Sequence, residues 1–228
     1  MSLDVKKTLD IRATKLNGII YGQSGVGKTT LAGTLNKVIV ISLEAGLLSL
    51  KGKDVDYVEV DPEHRISSLR KILEDVKKSD YETVFIDSLT EISEAMYELA
   101  KSEFPDSRNT MQRYGYTKEL MVRFLKYTRD FDKNVFYTAL QKDDKDEIGR
   151  MSHLPKLVGS VKEDAMGFMD FVFVMRIIEK DGEKVRVLQT EGGDGYQAKD
   201  RSGCLNVLEK PDLGLIINKV FAENKEKK

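Results

Sequence analysis

The sequence predicts an α/β fold: a mostly parallel sheet flanked by helices, with antiparallel strands at the C-terminal end. Three observations predict it. Short β-branched runs alternate with longer amphipathic segments, the rhythm of successive βαβ units. A glycine-rich pattern suited to phosphate lies between the first such strand and the segment that follows it. Two late apolar runs flank Asp181-Gly182, a turn pair that favours a tight hairpin.

In chain order the first strand is NGIIYG, followed by a helix expected from Lys28, then the strands KVIVIS and DVDYVEV. A helix around His64–Lys78 leads into the strand TVFID. SLTEISEAMYELAKSEF then places Ile92, Met96, Leu99 and Ala100 at helical spacing, and YTKELMVRFLKYTRDF does the same with Leu120, Phe124, Leu125 and Tyr127. Two helices therefore precede the next strand, NVFYTAL. The stretch QKDDKDEIGRMSHLPKLVGSVKED is too long and too charged for core and reads as a mobile loop or β-excursion. FMDFVFVMRIIE and EKVRVLQTE close the sheet as the hairpin. With 228 residues and 40% hydrophobic content, one domain over 1–222 is expected, with ENKEKK at 223–228 as a disordered tail.

The 37 basic and 38 acidic residues nearly cancel, so a net charge of -1 exerts no global pull on nucleic acid or anionic membrane. Cys204 is the one cysteine, which excludes an internal disulfide or a thiol pair on zinc and points to a reducing cytoplasm. The N-terminus lacks the apolar run of a signal peptide, and no stretch approaches the ~18 apolar residues of a membrane span. His64, His153 and Cys204 show no spacing suited to metal or nucleophilic chemistry and read as structural.

The chemistry concentrates at Gly22-Gln23-Ser24-Gly25-Val26-Gly27-Lys28-Thr29, which satisfies G-x-x-x-x-G-K-[ST] in full. Glycines let successive backbone N–H groups turn inward on a phosphate, and a helix start adds its positive dipole end. ATP is the expected ligand. Lys28 would reach the β- and γ-oxygens, Thr29 would ligate Mg²⁺, and Thr30 extends the binding segment. Asp87, at the end of the apolar strand TVFID, is the second candidate metal group; Asp87 or Ser88 could equally cap the helix that follows. No acidic residue follows Asp87, so Glu44, after KVIVIS, is the candidate general base, against the alternative of an exposed glutamate at a helix start. Gln141 ends NVFYTAL at the same sheet edge and could touch the γ-phosphate or be an ordinary polar loop residue.

A basic stretch runs from Arg108 to Arg129, with six Lys and Arg against Glu119 alone and Tyr114, Tyr116, Phe124 and Tyr127 interleaved. Cations among aromatic surfaces suit single-stranded DNA, and Arg113, Tyr116, Arg123 and Lys126 are the candidates; a solvated helix face is the alternative. The segment from Gln141 to Asp164 holds five basic residues against six acidic and makes a poor electrostatic groove.

Taken in order, the phosphate loop, the glutamate in ISLEAGL, the strand ending VFIDSL and the strand ending FYTALQ resemble the core of the RecA superfamily over roughly residues 14 to 205. The segment Ala198-Lys199-Asp200-Arg201-Ser202-Gly203 is similar to the Lys-Asn-Arg-Phe-Gly motif of bacterial RadA proteins, with Asp200 in place of the asparagine and Ser202 in place of the aromatic. The compact size is similar to that of phage-encoded, core-only RecA-like proteins of single-strand annealing and recombination. The resemblance implies a RecA-like ATPase core that works as a homo-oligomer, ring or filament, with Lys199 and Arg201 acting across a subunit interface. It also implies action on single-stranded DNA. The competing class is a P-loop phosphotransferase or nucleotide switch acting on a protein or small molecule.

Overall fold

A computed structural model describes residues 14–44, 46–106, 108, 110–145 and 148–226, with side chains through 222. The strands are β1 (Asn17–Gly22), β2 (Val38–Ser42), β3 (Asp56–Glu59), β4 (Thr83–Asp87), β5 (Asn134–Lys145), β6 (Met151–Pro155), β7 (Phe171–Lys180), β8 (Glu183–Gln189), β9 (Lys199–Asp200) and β10 (Leu208–Glu209). The helices are α1 (Arg65–Lys77), α2 (Leu89–Glu103), α3 (Thr110–Arg129), α4 (Val161–Phe168) and α5 (Leu213–Glu226).

Alternation within each strand sorts side chains to two faces. Ile19, Tyr21, Ile39, Ile41, Ile86 and Tyr137 point to one layer, where Leu69 and Leu73 of α1, Ile92 and Met96 of α2, and Met121, Phe124 and Leu125 of α3 cover them. Ile20, Val40, Phe85, Phe136 and Phe173 point to the other, against Leu31 and Ala32 and against Leu213, Ile216 and Val220 of α5. Each such side chain, fully buried, contributes roughly 1.5–3 kcal/mol, so the sheet is held rigidly from both sides.

The sheet runs β10-β8-β7-β1-β5-β4-β2-β3, and every pairing from β7 to β3 is parallel. β8 pairs antiparallel with β7, as the hairpin reading anticipated, and β10 adds antiparallel to β8. Asp181 and Gly182 both take positive φ (54° and 81°), the geometry of a two-residue turn matched to the strand twist. The charged stretch after Gln141 is a β-excursion: β5 continues to Lys145, and β6 returns antiparallel to it.

The segment after the phosphate loop differs from the expected α-helix. It is a 3₁₀ run, Thr29–Thr34. Nine residues separate Lys28 from Val38, and Thr30 and Thr34 bond their hydroxyls to the carbonyls of Gly27 and Leu31, both at 2.6 Å, which favours the tighter winding. At the other end, α5 extends through Glu226, four residues into the segment read as a disordered tail, while 227–228 lie outside the described residues.

Because β5 lies between β1 and β4, the carboxyl ends of all three converge on one edge. Loops leaving that edge face one another across a crevice, the place where open parallel sheets hold ligands.

Candidate active site

β1 ends at Gly22, where a Cβ would come within 2.4 Å of the Met175 carbonyl oxygen on β7. Only glycine lets the chain leave the strand so close to its neighbour. Gly27 has φ +106°, a region closed to side chains, and its open face meets the Met175 methyl and the Arg186 guanidinium. The loop therefore curls between its own strand and the β7–β8 hairpin.

Lys28 is 9% exposed and folds back into this curl, donating from Nζ to the carbonyls of Gly22 and Gln23, each at 2.9 Å. Burial lowers its pKa, and the nearby carboxylates of Asp87 and Glu44 oppose that shift. A phosphate oxygen in the crevice would stabilise this desolvated ammonium better than two neutral carbonyls do.

Asp87, 6% exposed, is presented by β4, which β5 separates from β1. Thr29 Oγ1 donates to its Oδ2 at 2.6 Å, and Thr138 Oγ1 on β5 donates to its Oδ1. The sequence brings together the expected hydroxyl and carboxylate, and the fold adds Thr138. Hydroxyl and carboxylate oxygens are hard donors of the kind Mg²⁺ takes, and two of them suffice where phosphates and waters complete an octahedron. Mg²⁺ therefore fits Thr29 and Asp87. Among the described residues, no cluster of three or more His, Cys, Asp or Glu could hold a metal by itself.

Glu44 follows β2, whose Ser42 is in register with Asp87. Its Oε1 accepts from Ser88 Oγ at 2.6 Å, and the same Ser88 oxygen accepts from the Glu91 N–H to cap α2. Ser88, rather than Asp87, is the cap, which leaves the Asp87 carboxylate to the crevice. The cavity lined by Ser24, Gly25, Gly27, Lys28, Thr29, Thr30, Glu44, Asp87, Ser88 and Arg186 measures about 450 Å³, within the range of small-molecule sites.

Gln141 lies on the outer flank of the loop. Its amide donates to Asp143 Oδ1 at 2.6 Å and lies 3.3 Å from His153 Nδ1, and it lines a second cavity of about 340 Å³ with Gln23, Arg176 and Tyr196. The His153 ring stacks on Tyr196, with centroids 4.2 Å apart. Its Nδ1 lies 2.7 Å from Asp143, whose pKa is lowered by that hydrogen bond and by Gln141.

Lys199 and Arg201 both reach α4, at the opposite edge of the sheet from the phosphate loop. Lys199 and Asp200 pair with the start of β7. Lys199 Nζ donates to the Met166 carbonyl at 2.6 Å, while Arg201 bonds Asp170 and the Gly167 carbonyl, each at 3.0 Å. Neither cation contacts the crevice of its own chain.

On α3 the four nucleic-acid candidates divide. Arg113 donates to the carbonyls of Phe104, Pro105 and Asp106 at 2.7–3.1 Å, closing the end of α2, and Tyr116 packs edge-on against Phe104. Arg123 is exposed and paired with Glu119 one turn away, and the Lys126 ammonium lies 5.5 Å above the Phe168 ring.

Sequence reasoning missed Thr138 and Arg186. The first left a signal, a hydroxyl inside the otherwise apolar run VFYTAL; the second left none, because only docking of the hairpin onto the loop brings it to the site.

Residues 14–202 match a protein family described as an AAA domain. Among solved structures, a KaiC-like protein from the hyperthermophilic archaeon Pyrococcus horikoshii matches with 16% identity and a TM-score of 0.47, covering 76% of this chain and 77% of that one. No curated protein matches the sequence. Among the described residues, no helix is long and apolar enough to cross a membrane.

Proposed function

The chain belongs to the AAA domain family, and on that premise we propose that it hydrolyses ATP with Mg²⁺ at the crevice formed by β1, β2 and β4. The observation that carries this reading is the convergence of Lys28, the Thr29–Asp87 pair and the Glu44 carboxylate on one cavity. Backbone N–H groups of 24–29 and the Lys28 ammonium bind and orient the phosphates. Thr29 and Asp87 would hold Mg²⁺, which would supply charge neutralisation on the phosphate oxygens. Glu44 lies across the crevice and accepts a proton from the attacking water, while the hydrogen bond from Ser88 orients its carboxylate.

Glu44→Gln tests this role. Mg²⁺-dependent ATP turnover is expected to fall by about 10²-fold with nucleotide affinity retained, the pattern of a lost general base. Wild-type turnover in that variant would move the base elsewhere, and an undetectable Mg²⁺-dependent ATPase in the native protein would remove the hydrolytic reading. A phosphorylated acceptor in place of free phosphate would favour the phosphotransferase class.

The finer reading is a homo-oligomer acting on single-stranded DNA in recombination or annealing. Its support is the RecA-like motif order and the placement of Lys199 and Arg201 away from their own crevice, where a neighbouring subunit's nucleotide could meet them once their bonds to α4 and Asp170 are exchanged. Arg201→Ala mixed with Lys28→Ala should recover ATPase activity that each lacks alone. An Arg201→Ala protein that hydrolyses ATP normally by itself would end the proposal of action across the interface.

A further inference from the structure

We propose that Arg186 is a second phosphate-binding cation supplied by the same chain, clamping the nucleotide's phosphates from the hairpin side of the crevice. This rests on the phosphate-site reading and adds a residue that no motif assigns. Arg186 is in β8, opposite Ile177 on β7, and its side chain reaches back over the phosphate loop. Nε donates to the Val26 carbonyl at 3.0 Å, which fixes the guanidinium plane against the loop. That bond uses one of the five donors of the fork. Among the described residues, no carboxylate lies within ion-pair distance of it, unlike the arginines at 65, 70, 108, 123, 129, 176 and 201.

The charge of the cavity points the same way. Its lining holds the carboxylates of Asp87 and Glu44 against the ammonium of Lys28, and Arg186 is the other cation there. A triphosphate with its Mg²⁺ is still anionic, so its entry into a crevice with two carboxylates calls for more positive charge than Lys28 provides. A guanidinium anchored through Nε keeps its two terminal nitrogens for a bidentate contact with phosphate, a geometry lysine does not offer.

The test measures binding of Mg²⁺–ATPγS, Mg²⁺–ADP and AMP to the full chain and to Arg186→Gln, Arg186→Lys and Lys28→Ala across a range of salt. Arg186→Gln is expected to weaken ATPγS and ADP about tenfold, to affect AMP less, and to flatten the salt dependence of ATPγS affinity, because a charge contact has gone. Arg186→Lys should restore the salt dependence and part of the affinity. If Arg186→Gln unfolds, the lysine variant carries the test through its partial loss for ATPγS. Wild-type affinity in both variants overturns the inference while leaving the site intact if Lys28→Ala still fails to bind. Equal losses for all three nucleotides with an unchanged salt slope also overturn it, since Arg186 would then only brace Val26. Failure of the native chain to bind ATPγS sinks the phosphate-site reading itself.

Discussion

The phosphate crevice and the basic face of α3 are both rich in charge, yet the fold uses that charge in opposite ways. In the crevice, Lys28 and Arg186 hydrogen-bond to neutral carbonyls and keep no carboxylate partner at ion-pair distance among the described residues. On α3, Lys118 pairs with Asp164 on α4, Arg123 with Glu119 and Arg129 with Asp130, while Arg113 is spent on three backbone carbonyls. Of the six cations from Arg108 to Arg129, Lys118 meets an acid from another helix, Arg108, Arg123 and Arg129 meet acids close in the chain, and Arg113 is taken up by carbonyls. A cation's availability depends on its neighbours in space, and local charge counts report only its neighbours in sequence.

Lys28→Ala would break the comparison most strongly. It is expected to lower ATP turnover by about 10²–10³-fold or more, the scale of removing a preorganised donor from a phosphate site. Unchanged turnover would mean that the crevice charge is structural after all. Arg113→Ala should do the reverse. Loss of its bonds to the end of α2 is expected to lower unfolding stability by about 1–3 kcal/mol with ATP affinity unchanged. Denaturant titration and a binding isotherm on the same sample separate the two outcomes.

The Lys28 ammonium also sharpens the comparison through pH. Burial lowers its pKa in the folded chain below the unfolded value, so the folded state loses this proton first as pH rises. The nucleotide-free protein should therefore gain stability from this group as pH climbs through the folded pKa toward the unfolded one, by at most about 1.4 kcal/mol per pH unit. Lys28→Met should lack that increment. Identical pH–stability slopes for the two proteins in the alkaline range would show that the buried ammonium carries no such penalty.

The smallest effect is expected at Arg123 and Lys126. Their exposed contacts are worth a few tenths of a kcal/mol, so both remain able to exchange them for phosphate. Arg123→Glu with Lys126→Glu should leave stability within about 0.5 kcal/mol. If α3 contacts single-stranded DNA, the salt slope should fall by about 0.7 for each phosphate contact removed. An unaltered slope would reduce this helix to a solvated face.

Much of this molecule was legible in its residues because the information is local. Asp181-Gly182 specifies a tight hairpin through two positive φ values. The glycines at 22, 25 and 27 specify a phosphate loop because the backbone must turn where no side chain fits. Alternating apolar residues specify which side of each strand is core. The 3₁₀ winding after Lys28 escaped because a short connection and two threonine hydroxyls outweighed the expectation of a regular helix.

By itself the sequence determined the α/β class and the glycine-rich loop, and it singled out Lys28, Thr29, Asp87 and Glu44 as the candidates for its chemistry. The tertiary structure alone decided that β5 stands between β1 and β4 and contributes Thr138, that Ser88 caps α2 and orients Glu44, that Arg186 arrives from a distant hairpin, and that Lys199 and Arg201 face away from their own crevice. The division follows from reach. A motif is written where backbone geometry constrains consecutive residues, whereas partners more than 150 residues apart, such as Val26 and Arg186, meet only because the order of strands in the sheet places them side by side.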